Sequence, residues 1–461
     1  MNMMTKEEIE IAKNEGNSSF CNLIERIKYD IPKIIFLLEN LGRLPENFDV
    51  DIFYQFIDRN NSKIRFWAIK NISKLATEKH IKKLYETAKN DSDSMVRREA
   101  VSALGRMRNP NTINYLIEFL NDTDPKIILQ SIRGLLLFKT NTNVSEKLKS
   151  LINHPNEMIQ NVIKKEFEIE NIKKPIENHT EVNKILKDTV VNGDTIEIMK
   201  MIADESIHLT FTSPPYYNAR DYSIYPSYKD YLDFLAKVFK EIYRITKEGR
   251  FLIVNTSPII IPRVSRQHSS IRYPIPFDLH HYLVEMDWEF IDDIVWLKPE
   301  ASVKDRNGGF KQHRKPLAYK PNAVTEYLMV YRKKTSKLLD WNIRQYDWKT
   351  VKESKVLEEY ETTNVWKIDP TFNKIHTAVF PIELCKRVIK FYSFKNDLVF
   401  DPFAGSGTVA KAAQILNRHF FLTEKDNKYF EYIKNSLSNV SLFEKNDIKF
   451  FTIKQLKEAL K

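Results

Sequence analysis

The chain has 461 residues, 42% of them hydrophobic, which is apolar material for at least two cores and excludes both a disordered polymer and a single small domain. Its formal net charge is +11 and its isoelectric point about 9.1, which favours a polyanion such as nucleic acid as partner, although a general bias toward lysine, asparagine and isoleucine produces the same excess without any binding role. Cys21 and Cys385 stand far apart without metal-ligand spacing, and no apolar run reaches signal-core or bilayer length, so a soluble, cytoplasmic protein without disulfides or zinc is expected.

From about Asn61 to Glu170 the sequence repeats itself weakly. The segments KIRFWAIKNISKLA, MVRREAVSALGRM, KIILQSIRGLLLF and MIQNVIKKEF align on Ile64, Val96, Ile127 and Ile159, 31 or 32 residues apart. Apolar positions within each unit fall at helical spacing, as in Ile64, Ala68, Ile72 and in Val96, Ala100, Leu104, so each unit offers one face that needs a neighbour. NDSDS and NDTDP precede the second and third units, where Asp and Ser can cap helix starts and produce helix pairs joined by short turns. The pattern resembles a HEAT-type solenoid of short period; an irregular helical domain is the alternative. Residues before Asn61 also read as helical, and an all-α domain is expected over residues 1–172.

KKPIENHTEVNK, residues 173–184, is polar, contains proline and lacks periodicity, and is expected to be a linker. Beyond it, over 185–461, the apolar runs IHLTFT, FLIVN, DDIVWL, EYLMVY, DLVF and FFLT alternate with amphipathic helical stretches, which predicts a mainly parallel α/β sheet. The clearest helix runs from Tyr228 to about Thr246, with Tyr231, Leu232, Leu235, Val238, Phe239 and Ile242 on one face. KEGR is expected to close it before the strand FLIVN.

Two segments carry chemistry. In IHLTFTSPPYYN a strand delivers Thr212 and Ser213 to its carboxyl end, and Pro214 and Pro215 then fix the backbone without donating amide hydrogen bonds. The turn presents carbonyl oxygens beside the flat face of Tyr216, which suits a planar base whose amino group needs acceptors; a plain proline turn with Tyr216 in the core is the alternative. In DLVFDPFAGSGTVAKAAQIL an apolar strand ends at Asp401, Gly405-Ser406-Gly407 turns, and a helix starts near Thr408. Glycines admit close approach and the amides of a helix start favour a carboxylate or phosphate, although such turns also arise for steric reasons alone. Glu424, 23 residues after Asp401 and at the end of FFLTE, is placed to accept hydrogen bonds from a ribose diol.

FTSPPY, Phe211 to Tyr216, resembles the catalytic motif of the amino-group-specific DNA methyltransferases in the version typical of N(4)-cytosine-specific members, and DPFAGSGT is similar to their S-adenosylmethionine loop. DDIVWLKPE, EYLMVYRK, TTNVWKI and HTAVFPIELCKRVIKFYS resemble further family blocks in the family's order, so the resemblance covers essentially residues 186–440. The catalytic motif precedes the cofactor loop, as in the permuted beta class, with target recognition between them. The resemblance implies a Rossmann-like fold in which the two motif strands lie side by side, S-adenosyl-L-methionine as methyl donor, and no metal. It further implies methylation of the exocyclic 4-amino group of cytosine in double-stranded DNA, with the base flipped out, as the modification part of a restriction-modification system. The same fold acting on the N(6) amino group of adenine is the alternative, and a non-catalytic DNA-binding scaffold is the alternative of a different class.

By the same resemblance Ser213, Pro214, Pro215 and Tyr216 form the catalytic turn, with the Ser213 hydroxyl and Pro214 carbonyl as acceptors for the target amine and Tyr216 as stacking partner. Asp401, Pro402, Phe403, Gly405 and Gly407 surround the methionine portion of the cofactor, Thr408 lies nearby, Glu424 holds the ribose, and Phe380 and Pro381 pack beside the pocket. Asp194, in VNGD, is either a cofactor contact or an acidic turn residue. Lys425 stands where the family usually carries an apolar residue, which puts adenine packing in question. Arg306, Lys311, His313, Arg314 and Lys315, in the basic segment 298–322, are candidates for neutralising phosphates or reading bases, with a solvated loop as alternative; 335–361 is the other candidate for target recognition. For the repeat domain, a protein partner such as a cognate nuclease or additional DNA backbone is expected.

Overall fold

Each of the four aligned segments is a helix, Ser62–Ile72, Ser94–Arg106, Pro125–Leu135 and Glu157–Phe167, in a computed structural model that describes residues 4–167, 179–218, 225–261, 265, 267–268, 270–371, 380–438 and 448–461. The first three start where a side chain accepts backbone N–H groups, from Asn61, Asp93 and Asp124. The faces expected to be buried are buried, among them Ile64, Ala68, Ile72, Val96, Ala100, Leu104, Ile127 and Ile159. Helices Ile81–Asn90, Ile113–Glu118 and Thr142–Lys149 alternate with them, and Lys6–Glu15, Asn17–Ile27 and Ile31–Glu39 come first. One apolar core runs from Ile9 to Ile163. Acids at the turns tie one repeat to the next: Arg65 donates to both oxygens of Asp91 at 2.7 and 2.8 Å, and Arg98 to Asp124 at 2.6 Å. This helical unit spans Met1–Lys173, and Lys174–Lys461 form a second unit.

The second unit is α/β. Its strands are β1 (Thr189–Asn192), β2 (Ile207–Thr212), β3 (Thr246–Thr256), β4 (Ile259–Ile261), β5 (Ile271–Tyr273), β6 (Trp288–Leu297), β7 (Thr325–Lys333), β8 (Val365–Lys367), β9 (Leu398–Asp401), β10 (His419–Glu424) and β11 (Lys449–Thr452). Nine of them form one sheet in the order β11-β1-β10-β9-β2-β3-β7-β6-β8, parallel throughout except at β7, which runs against both β3 and β6. β4 and β5 form a separate hairpin. β2 and β9 are buried along their whole length because helices cover both faces of the sheet. Tyr228–Ile245 and Ile275–Glu285 pack one core with Leu252 and Phe400; Ile382–Tyr392, Thr408–Ile415 and Asn427–Ser438 pack the other with Val399 and Leu422.

One expectation is corrected. KEGR does not close the helix: Thr246 already stands in β3, its hydroxyl bonded to the Ile242 carbonyl at 2.6 Å, and the register jumps from Ile207 opposite Thr246 to Leu209 opposite Phe251. The extra residues bulge at Gly249, whose φ of +67° and close neighbour Asn342 leave no room for a side chain. Of the expected linker, residues 173–178 lie outside the described residues. Residues 179–184 are not a free tether, because His179 is buried beside the Trp341 ring at 4.9 Å and the Glu181 carbonyl accepts a hydrogen bond from Lys247. The segment 335–361 docks at the amino-terminal edge of the parallel strands, where Asn342 donates to the Gly249 carbonyl at 2.9 Å and Tyr346 bonds Asp397. The segment 298–322 follows β6, which runs with β2 and β3, and so leaves the sheet at the opposite, carboxyl edge.

Candidate active site

The chain proceeds from β2 to β3 in one direction along the sheet and from β9 to β10 in the other, so a crevice opens at the carboxyl ends of β2 and β9. These two strands pair in parallel, with Thr210 opposite Phe400, and the turns that follow them lie side by side. Their link is a buried hydrogen bond: the Thr212 hydroxyl donates to Asp401 Oδ1 at 2.7 Å, and the Phe403 amide donates to the same oxygen at 3.1 Å. Among the described residues no cation pairs with Asp401, and burial pushes its carboxyl up to about 7. Burial also raises Glu424, which is held by two amides, Gly405 on Oε2 and Asp426 on Oε1, each at 2.8 Å. Each of its oxygens keeps a lone pair for a ligand.

Both turns border one cavity of about 560 Å³, lined by Ser213, Pro214, Pro215, Tyr216, Asp194, Phe380, Asp401, Pro402, Phe403, Gly405, Thr408 and Glu424 among the expected residues. Gly407 and Pro381 do not reach it. Gly407, at φ +72°, caps the Thr408–Ile415 helix, and a Cβ there would sit 3.1 Å from Ile433; glycine is needed for the turn rather than for ligand approach. Pro381 is buried behind Phe380 at the start of the Ile382–Tyr392 helix. Asp194 is a turn residue that caps the Thr195–Met199 helix through the Ile196 amide at 3.0 Å, and it also forms cavity wall. Lys425 also borders the cavity and pairs with Asp194 at 3.3 Å.

Tyr216 is only half-buried as a residue because its ring borders the cavity, while its hydroxyl is buried and donates to Glu326 at 3.4 Å. Burial first, then the Glu326 charge, raise the phenol far above its ordinary range, so it stays neutral. Lys298 pairs with Glu326 in turn and lies 4.3 Å from the Trp296 ring, so Tyr216 is braced from β6 and β7. Sequence reasoning missed this brace, because its members stand 28 and 110 residues apart. It also missed Phe234, Tyr225 and Tyr429, aromatic wall residues contributed by a helix, a loop and another helix. Phe234 stands 6.3 Å from Phe403, and the Tyr225 amide donates to Asn218 at 2.7 Å.

Arg306, Lys311, His313, Arg314 and Lys315 are all exposed and outside the cavity. Lys311 pairs with Asp305 at 3.2 Å, and Arg314 stacks 5.6 Å from the Phe310 ring. Arg306 lines a second groove, of about 490 Å³, together with Arg272, Lys304 and Lys320.

The geometry fits an elongated ligand with a cationic group for Asp401 and a diol for Glu424, held between aromatic walls, beside a proline turn able to accept hydrogen bonds. A DNA methylase family model matches residues 207–435, and a HEAT-repeat model matches residues 50–136 and 81–163. The Type II beta methyltransferase M.BslI of Bacillus sp. (strain NEB-606) is 27% identical over 338 residues, 66% of this chain but 36% of that protein, so the chain spans less than half of that relative. The orphan methyltransferase M.BamHII of Bacillus amyloliquefaciens is 29% identical over 262 residues, 53% of this chain and 93% of the relative. Among solved structures, the cytosine-N4-specific PvuII DNA methyltransferase is 19% identical with a TM-score of 0.42, covering 59% of this chain and 92% of its own. Both motif turns lie within the matched residues, and the α/β unit of this chain belongs to the DNA methylase family, preceded by HEAT repeats.

Proposed function

We propose that the chain transfers a methyl group from S-adenosyl-L-methionine to the exocyclic 4-amino group of cytosine at a specific site in duplex DNA, as the modification part of a restriction-modification pair. The observation that carries this reading is the adjacency of the Ser213–Tyr216 and Pro402–Thr408 turns around one cavity, joined by the Thr212–Asp401 hydrogen bond. Serine in the first position of the Ser-Pro-Pro-Tyr motif supports cytosine over adenine.

When bound, S-adenosyl-L-methionine supplies a methyl group already activated on a positively charged sulfur. Asp401 receives its ammonium group, Glu424 its ribose diol, and Phe380 and Phe403 its apolar surface. Across the cavity the Ser213 hydroxyl and the Pro214 carbonyl accept hydrogen bonds from the target amine. That amine is a poor nucleophile because its lone pair is delocalised into the ring; two fixed acceptors draw it toward tetrahedral geometry and stabilise the charge that develops. Ser213 is thus an acceptor and not a strong base. Tyr216 offers its ring to a base that must leave the duplex to be reached, and its hydroxyl, anchored on Glu326, keeps that ring in place. The groove formed by Arg272, Lys304, Arg306 and Lys320 takes the flanking phosphates. Segment 298–322 leaves the sheet at the same edge as the catalytic turn, which favours it over 335–361 for reading the target.

Nucleoside mass spectrometry of DNA from a host expressing the protein tests this directly. N(4)-methylcytosine is expected, and is expected to vanish with Ser213→Ala or Tyr216→Ala, each slowing transfer by roughly 100-fold or more. N(6)-methyladenine alone would move the assignment to adenine. Unmodified DNA from an abundant, folded wild-type protein, or full modification by both variants, would refute the mechanism.

A further inference from the structure

We propose that the HEAT-repeat unit grips the phosphate backbone of duplex DNA through a row of cations that crosses successive repeats. Counted from the aligned core positions Ile64, Val96, Ile127 and Ile159, the sixth residue onward is Lys70, Ser102, Arg133 and Lys165, and the tenth is Lys74, Arg106 and Leu137 in the first three repeats. Residues four apart share a helix face, so five of the seven positions on one strip of packed neighbouring helices are basic. Between the Ser94–Arg106 and Pro125–Leu135 helices the strip opens into a groove of about 580 Å³ walled by Arg106, Arg108 and Arg133. Its floor is the contact of Gly105 with Gly134, where a Cβ on the latter would meet Gly105 Cα at 2.9 Å.

The state of these cations separates them from the structural arginines of the same repeats. Arg65 and Arg98 are consumed by Asp91 and Asp124. Arg108, Arg133 and Lys165 have no acidic partner among the described residues, and Arg108 holds a φ of +52° at a helix end where glycine is the usual solution. Glu99 stands on the strip and is tied to Arg106, which also reaches Ser73 of the preceding repeat. Lys74 rests on the Gly42 carbonyl, and burial first, then the charges of Lys13 and Lys70, lower it to about 8. Neighbouring helices pack about 8–10 Å apart, so three gaps carry the strip for roughly 24–30 Å, a little under the ~34 Å of one B-DNA turn. A protein partner would call for a dry apolar centre, whereas the exposed apolar side chains of this layer, Met95, Leu137 and Met158, stand singly on three different helices. The inference rests on the functional reading above, which brings duplex DNA to this chain.

The test is fluorescence anisotropy of a 30-base-pair duplex, about three turns, with the full chain across a range of NaCl concentrations. Arg108→Ala/Arg133→Ala/Lys165→Ala is expected to weaken binding at low salt at least tenfold and to reduce the slope of log K against log salt by about 3, one released counterion per cation. Its melting temperature and calorimetric affinity for S-adenosyl-L-methionine should be unchanged, and Arg108→Lys/Arg133→Lys/Lys165→Arg should keep the wild-type slope. Unchanged affinity and slope in the alanine variant would overturn the proposal and leave an acidic protein as the partner of this face; loss of the slope in the charge-conserving variant would overturn it as well. A wild-type chain that binds the duplex with this salt dependence but never methylates it would instead overturn the enzymatic reading and leave this one standing.

Discussion

Strand β9 has a buried aspartate at each end, and the two have opposite fates. Asp397, just before its start, meets Arg250 from β3, the Tyr346 hydroxyl and the Phe394 amide. Burial alone would raise its carboxyl, but the Arg250 charge and these hydrogen bonds overcome it and hold Asp397 below the usual carboxylate range. His208 takes no charge in this cluster: burial lowers it to about 3, and its Nδ1 accepts the Leu398 amide, so its 3.7 Å approach to Asp397 is not an ion pair. Asp401, four residues on, has only Thr212 and an amide, and its carboxyl rises to about 7. The amino edge of the sheet compensates its buried charge and is thereby locked to the 335–361 segment. At the carboxyl edge the charge is left uncompensated for a cationic ligand.

The contrast can be broken by substitution. Removing one partner of the compensated cluster, with Arg250→Met or Asp397→Asn, should cost about 3–5 kcal/mol, because the other is left charged and buried; a change under about 1 kcal/mol in denaturant unfolding would mean that the cluster contributes nothing. Asp401→Asn should act with the opposite sign on the fold while weakening S-adenosyl-L-methionine binding by about 1.5–3 kcal/mol, or roughly 10- to 150-fold, by calorimetry.

The pH dependence sharpens the same comparison. The folded value of Asp401, about 7, lies above that of the unfolded chain. Its contribution to stability is therefore full below the unfolded value and is lost at about 1.4 kcal/mol per pH unit as pH rises toward 7. Asp397, with its value depressed, contributes above the unfolded value and loses that contribution on acidification. Melts between pH 5 and pH 8 should show the gain from Asp401→Asn growing to about pH 7 and then levelling, and wild-type affinity for the cofactor should rise through the same interval. A flat profile would place a cation beside Asp401.

Smaller effects follow at the margins. Gly407→Ala, strained at φ +72° and pressed on Ile433, should lose about 1–2 kcal/mol of stability. Tyr346→Phe, which removes one hydrogen bond from a carboxylate that keeps its arginine, should lose about 1 kcal/mol; a larger loss would make the hydroxyl, rather than Arg250, the main anchor of the 335–361 segment.

Much of this was legible in the chain itself. The helical repeat, the strands β2, β3, β6, β7, β9 and β10 and the two motif turns are set by patterns spanning a few residues, the periodicity of burial and the torsions of glycine and proline. Strands β1, β8 and β11 carry no such pattern and exist through their neighbours in the sheet. Nothing local shows that Asp397 is paired with an arginine while Asp401 is not, or separates Gly405 on the cavity from Gly407 behind it. Arg250 lies 147 residues from Asp397 and Glu326 lies 110 from Tyr216, and sheet register alone brings them together. Conformational preference is a short-range property of the backbone and can be read residue by residue, whereas the ionisation and orientation of a buried side chain depend on which distant groups the fold places within a few ångströms of it.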